Sequence, residues 1–393
     1  MKKTILLTIA LITFSLLSVD AKKKEKKQEY KFKDLVSLPV TSVKNQQASG
    51  TCWCFSGLSF IEAELLRTGK GEHDLSEMFL VKKSYNVKAV DYVRYHTQLA
   101  FSQGGESGDV MEMISRYGLM PEEFFSGLNY GTKRHQHGEV EAVLKGMLDA
   151  VAENHNRKLS TAWQSAFDNV LNAYFGKDVK TFTYKGKEYT PISLRDELGI
   201  IASDYVEIGS FSHHPFYTSC PFEVPDNWLH ANIYNIPLDE FMTLMDTCLK
   251  NGYSLLWGSD VSEKGFKSRE GIALLPANKD QEMSDSEIGK WEKLTKKQKA
   301  SGLFVKEQKV TQESRQKGFD NYQTQDDHGM HIIGISKDQF GKKFYKVKNS
   351  WGEYGKYKGY FYASESFVRS KTMTYMVHKD ALSAELKTKL GIK

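Results

Sequence analysis

The sequence predicts an α+β protein, and the prediction rests on a change of period along the chain. Apolar residues in the first half recur at helical spacing, whereas the last third holds short runs of branched and aromatic residues separated by Gly and Lys. Elements segregated in this way pack as two halves, with room for a site between them. The 393 residues suffice for one large domain with insertions or for two domains.

Taken in order, residues 1–21 join two lysines to an apolar run from Ile5 to Leu17 and end in small residues, the layout of a cleaved export signal. The run is about 13 residues, short of the roughly 20 that a span needs, and no later segment is long and apolar enough to cross a membrane. The expectation is an exported protein, periplasmic or secreted. Residues 22–33 are strongly basic and read as a solvated leader. Phe32 to Val43 is extended. Cys52 to Arg67 reads as a helix, with Phe55, Leu58, Glu62, Leu65 and Leu66 near the helical period and Gly69 as its stop. A second helix runs from Ser76 to about Tyr95, and a third opens at Asp109 and ends by Gly118. The stretch from about Gly138 to Phe175 is mostly helical and polar. FTYKGKEYT then reads as a hairpin around Gly186. Strands are expected at Tyr253–Trp257, His331–Ile335, Phe344–Val347 and Tyr360–Tyr362. Lys279 to Asp320 is charged and weakly patterned, a surface excursion.

With 40% hydrophobic and 26% charged residues the composition is that of a soluble globular protein. A net charge of +5 is too mild to argue for nucleic acid. The four cysteines, Cys52, Cys54, Cys220 and Cys248, are no disulfide scaffold. One bridge is open to them, Cys220 with Cys248, although sequence does not establish pairing. No C-x-x-C occurs, so a zinc ribbon or thioredoxin-type site has no support.

Two cysteines one residue apart, in Gly50-Thr51-Cys52-Trp53-Cys54, raise the question of which one reacts. Only a thiolate is a useful nucleophile, and a helix N-terminus lowers a thiol pKa. The helix starts at about Cys52, which places that thiol over the unpaired first-turn amides. Cys54 lies about 200° further around the helix and points into packing, the usual fate of a free cysteine. A nucleophilic thiol needs a base, and the base needs an orienting group. In Asp326-Asp327-His328-Gly329-Met330-His331 a histidine stands where a polar loop enters an apolar strand. Asn349 follows 21 residues later, and its side-chain oxygen is expected to accept the Nδ1 hydrogen of the imidazole. His328 and His331 could instead bind a metal, but residues three apart in a strand point to opposite faces. No metal or cofactor is expected.

KNQQASGTCWCFS resembles the nucleophile segment of papain-like cysteine peptidases, DHGMHIIGI their histidine segment, and KNSWGEYGKYKGYFY their Asn-Ser-Trp-Gly segment, in the same order. The resemblance implies Cys52 as nucleophile, His328 as base, Asn349 as orienter and Gln46 as the side-chain donor of an oxyanion hole. Trp351 would shield the His328–Asn349 hydrogen bond. Gly104 and Gly105 resemble the glycine pair that holds the substrate backbone, their missing side chains letting it come close. The fold implied is two-lobed, with a helical lobe at about 45–122, a mostly helical insertion at about 123–235, a β-barrel-like lobe at about 236–380 and a short tail at 381–393.

Ser49 stands where papain has a disulfide cysteine, and 276 residues separate Cys52 from His328. These features resemble the bleomycin hydrolase and aminopeptidase C branch. A peptide substrate, aminopeptidase action and a homo-oligomer, a hexamer, are what that branch implies. Its members end in an arm whose terminal carboxylate blocks the cleft and receives the substrate amino group. Here the last residues, ALSAELKTKLGIK, do not resemble that arm. One alternative follows, an endopeptidase with an open cleft; a reading of another class is an inactive peptide- or nucleic-acid-binding assembly, against which all four catalytic positions are present. If another acid replaces the arm, Glu106 is the residue to test, its competing reading being a solvated loop glutamate.

Overall fold

The computed structural model describes residues 29–155, 158–277 and 306–393. The export signal, most of the basic leader and the bulk of the Lys279–Asp320 excursion lie outside the described residues.

The amino-terminal part is β1 (Phe32–Ser37) followed by α1 (Cys52–Arg67), α2 (Glu77–Arg94), α3 (Ser107–Tyr117), α4 (His137–Ala152) and α5 (Ala162–Phe175). β1 starts inside the stretch expected to be a solvated leader. The reason is aromatic: Phe32 stacks on Tyr362 with centroids 3.9 Å apart, and Tyr30 is buried beside them. Ser76 caps α2 by accepting from the Phe79 amide, as its position before an apolar run requires. β2 (Phe182–Tyr184) and β3 (Lys187–Tyr189) form the expected hairpin, turned by Lys185 and Gly186, both with positive φ. α6 (Pro191–Leu198) follows.

The remaining elements are β4 (Tyr205–Gly209), β5 (Thr218–Pro221), β6 (Asn232–Asn235), α7 (Leu238–Lys250), β7 (Leu255–Ser259), β8 (Phe266–Lys267), β9 (Ile272–Ala273), α8 (Gln312–Asp320), β10 (His328–Asp338), β11 (Lys343–Lys348), β12 (Tyr360–Ser364), α9 (Glu365–Lys371), β13 (Thr372–His378) and α10 (Ala384–Leu390). The strands other than the hairpin make one eleven-stranded sheet. It runs β5-β6-β4-β13-β7-β10-β11-β12-β9-β8, with β1 also on β10. β4, β5 and β6 carry the sheet back into a stretch expected to be mostly helical. α8 interrupts the expected weakly patterned excursion. It is anchored by buried Arg315, whose guanidinium donates to the carbonyls of Ser210, Arg369 and Met373, satisfying a charge with backbone oxygens.

Two cores meet at α1. One is helical, from α1 to α6; the other fills the space between the sheet, α7 and α10. α1 is buried on nearly all sides, as a helix apolar all round must be. It packs on α2 and α3 on one side and on β10 and β7 on the other. Its first turn therefore lies beside the start of β10. Gly329 permits that approach, since a Cβ there would come within 2.7 Å of Ser56 Oγ and 3.2 Å of the Trp53 Cα.

Candidate active site

The sequence singles out Cys52, His328, Asn349 and Gln46, and the fold gathers all four at the junction of the two cores. Cys52 is the first residue of α1. Thr51 makes no side-chain cap bond, and its carbonyl takes the Cys54 and Phe55 amides, which leaves the amides of Cys52 and Trp53 outside the helix's own bonding. The N–H groups of Gly329 and Trp53 point at the sulfur. Cys54 faces away, buried, its thiol on the Glu77 carbonyl at 3.3 Å. All four cysteines are free, so Cys220 and Cys248 are not bridged; they belong to different apolar clusters.

His328 opens β10. It is the Nε2 atom, not Nδ1 as the sequence reading has it, that meets Asn349 Oδ1, at 2.8 Å. The same oxygen accepts the Ser350 amide at 2.8 Å, which fixes it as an acceptor and so places the ring hydrogen on Nε2. Nδ1 is left as the free nitrogen. The Trp351 indole stacks on the imidazole at 4.8 Å between centroids. Ser350 then donates through Oγ to Gln46 Oε1 at 2.6 Å, and Gln46 Nε2 donates to the Ser49 carbonyl at 2.8 Å. One hydrogen of the Gln46 amide stays uncommitted. Sequence inspection did not single out Ser350, the link between the histidine's partner and the glutamine. His331 is elsewhere: fully buried, with Nδ1 2.9 Å from Ser59 Oγ on α1.

Burial dominates the protonation of the pair. It pushes the Cys52 thiol up to about 11, with the Gly329 amide pulling the other way, and the His328 imidazole down to about 4 against the Asn349 hydrogen bond. The lowering expected from the helix terminus alone is thus opposed by desolvation at the thiol.

These residues line a cleft of about 550 Å³ that also takes in Gly104, Gly105, Glu106, Glu141, Asp226, Asp326 and Asp327. The glycine pair is here for a reason the sequence did not reveal. A Cβ on Gly104 would meet Asp226 Oδ2 at 2.0 Å, and one on Gly105 would meet Asp109 Oδ2 at 2.4 Å. Their missing side chains make room for protein carboxylates. Lys88, buried under the loop, holds it by donating to the carbonyls of Ser102 and Gly104. Gln103 ties the same loop to α1: its Oε1 accepts the Gly50 amide at 2.6 Å and its carbonyl accepts Trp53 Nε1 at 3.0 Å.

Glu106 is no solvated loop residue. It is the N-cap of α3, 5% exposed, in a reciprocal cap with Asp109, whose Oδ2 accepts the Glu106 amide at 3.0 Å. The carboxyl-terminal residues lie apart from the cleft. α10 places Leu386 and Leu390 in the core beside α7, and among the described residues none beyond Trp351 lines the cleft.

The profile of one peptidase family matches residues 78–392, most of the chain. The chain belongs to the Peptidase C1-like family. The matched span takes in His328 and Asn349 and begins after Cys52. Among relatives of this Peptidase C1-like chain, aminopeptidase C of Streptococcus thermophilus is 23% identical over 94% of the chain and 86% of its own length. Aminopeptidase G of Lactobacillus delbrueckii subsp. lactis is 21% identical over 88% and 83%. The crystal structure of PepW from Lactobacillus rhamnosis superposes with a TM-score of 0.68 at 20% identity, covering 91% of this chain and 84% of that one. That likeness shows the fold, an α+β papain-like architecture. Among the described residues no helix is long and apolar enough to cross a membrane.

Proposed function

We propose that this protein is a cysteine aminopeptidase in which Cys52 attacks the carbonyl carbon of the first peptide bond. The observation that carries this reading is the His328 imidazole, fixed by Asn349 at Nε2 and by the Trp351 ring, which leaves Nδ1 free on a residue that lines one cleft with Cys52. In the first step the Cys52 sulfur bonds to the carbonyl carbon while its proton passes to His328 Nδ1. The carbonyl oxygen takes the negative charge and is met by the uncommitted Gln46 hydrogen and first-turn amides of α1. Collapse breaks the C–N bond, and the imidazolium returns the proton to the leaving amine. Water, deprotonated by His328, then cleaves the thioester and restores the thiol.

The relatives' aminopeptidase names support removal of single amino-terminal residues. The deciding experiment is turnover of free-amino against N-blocked peptides, with iodoacetamide labelling mapped to Cys52. Faster cleavage of blocked peptides would replace this reading with an open-cleft endopeptidase. The pair should give a bell-shaped kcat/KM. Its acid limb lies below the ordinary imidazole value and its basic limb above the ordinary thiol value, because burial lowers the first and raises the second; both apparent values belong to the pair. Export is proposed from residues 1–21 alone. Amino-terminal sequencing of the extracellular or periplasmic protein tests it, and an intact Met1 there would exclude cleavage.

A further inference from the structure

Among the described residues, five carboxyl side chains and no lysine or arginine line the cleft of a protein whose net charge is +5. Three of the five come from different parts of the chain and converge beside the thiol. Glu106 arrives with the cap of α3, Asp326 stands two residues before His328, and Asp226 sits against the Cα of Gly104. The Cys52 sulfur feels the charges of Asp326 and Asp226. Burial, with the neighbouring Asp326 charge, pushes the Glu106 carboxyl well above its ordinary range. Two ionised carboxylates side by side can only accept, so neither can satisfy the other.

A second observation points to a ligand rather than to mere crowding. Glu106 is 5% exposed, lines the cleft, and its Oε1 has no hydrogen-bond donor among the described residues. A buried, unpaired carboxylate oxygen is costly. Lys88 lies behind the loop with its ammonium on the Ser102 and Gly104 carbonyls. Asp226 takes a long bond from Ser102 Oγ, 3.4 Å.

Resting on the aminopeptidase reading, we infer that Glu106, Asp326 and Asp226 form the subsite that receives the substrate's free α-ammonium group. An ammonium offers three N–H donors, and three carboxyls surround the place. Its arrival supplies the donors that the Glu106 and Asp326 carboxyls lack, and any proton held on Glu106 passes to solvent. The loop that carries Gly104 and Gly105 thus sets how far the peptide's amino end can pass the thiol. Specificity for amino termini would then be written in side chains contributed by three separate segments rather than by a chain terminus.

The test compares alanyl 4-nitroanilide, its N-acetyl form and N-acetyl-lysyl-alanyl 4-nitroanilide on wild type, Asp226→Asn and Glu106→Gln, with thermal melting as the check of folding. Each variant should raise KM for the free-amino substrate roughly 10- to 100-fold, the loss expected for a charge-assisted hydrogen bond, and should narrow its advantage over the acetylated one. Should Glu106→Gln fail to fold, half-buried Asp226→Asn carries the test. An unchanged KM in the folded variants overturns the inference while leaving the aminopeptidase reading intact. Preference of the wild type for acetylated substrates overturns that reading first. A rate gain from the lysyl residue that Asp226→Asn abolishes would then assign the carboxyls to a substrate lysine and overturn the inference too.

Discussion

The two ends of the cleft are built on opposite rules. At the thiol end nearly every polar atom is engaged: His328 with Asn349, Asn349 with Ser350, Ser350 with Gln46, Gln46 with Ser49. At the other end Glu106 keeps an unpaired oxygen and stands beside the Asp326 carboxyl. The first end is organised before substrate comes, which suits groups that must not move during bond making. The second is left incomplete, which suits recognition. The difference teaches that unsatisfied groups in this protein mark what the ligand brings.

Several substitutions should break this comparison or sharpen it. Cys52→Ser should lower kcat by about 10⁴-fold or more, read by active-site titration and turnover, whatever the peptide's amino end. Ser350→Ala breaks the chain in its middle. It frees Gln46 Oε1 and should lower kcat on the order of 10-fold with KM little changed, as steady-state rates would show; an equal change in KM would mean that the chain orders substrate as well. Gly329→Ala forces a methyl against Ser56 Oγ and the Trp53 backbone. We expect about 1–3 kcal/mol lost in denaturant unfolding and a several-fold fall in kcat as the base shifts from the thiol. Cys54→Ala should be mildest, with turnover within about twofold and stability lower by about 1 kcal/mol for the buried sulfur. Iodoacetamide uptake at Cys54 in the folded protein would contradict its placement.

Much of the thiol end was legible because its residues sit in contiguous segments with distinct chemistry: a helix start, a strand start, a strand end. The ring nitrogen that meets Asn349 was not, since atom choice depends on how β10 and β11 place their ends, which residue spacing does not specify. The acidic end was largely hidden. Asp226 lies far along the chain from Gly104, and only the packing of the β5–β6 connection onto the helical lobe brings them together. Lys88 falls within a helix whose pattern predicts exposure for lysine, yet its stem runs inward past Trp53 and Trp228 to reach the loop carbonyls. Glu106 was noticed for its neighbour glycines, while its burial follows from capping α3, whose start the sequence pattern put two residues late.

β10 is fastened in two separate places along one edge. His328 to Ile332 pair with β7, and Gly334 to Asp338 pair with β1. At about 3.3 Å per residue the second clamp lies some 20 Å from the imidazole. Amides along the two halves should therefore exchange with deuterium as two groups, the far half opening whenever β1 peels away and the near half only when the β7 edge lets go. A fusion partner or tether attached ahead of Phe32 would tug on the far clamp and leave the base at rest.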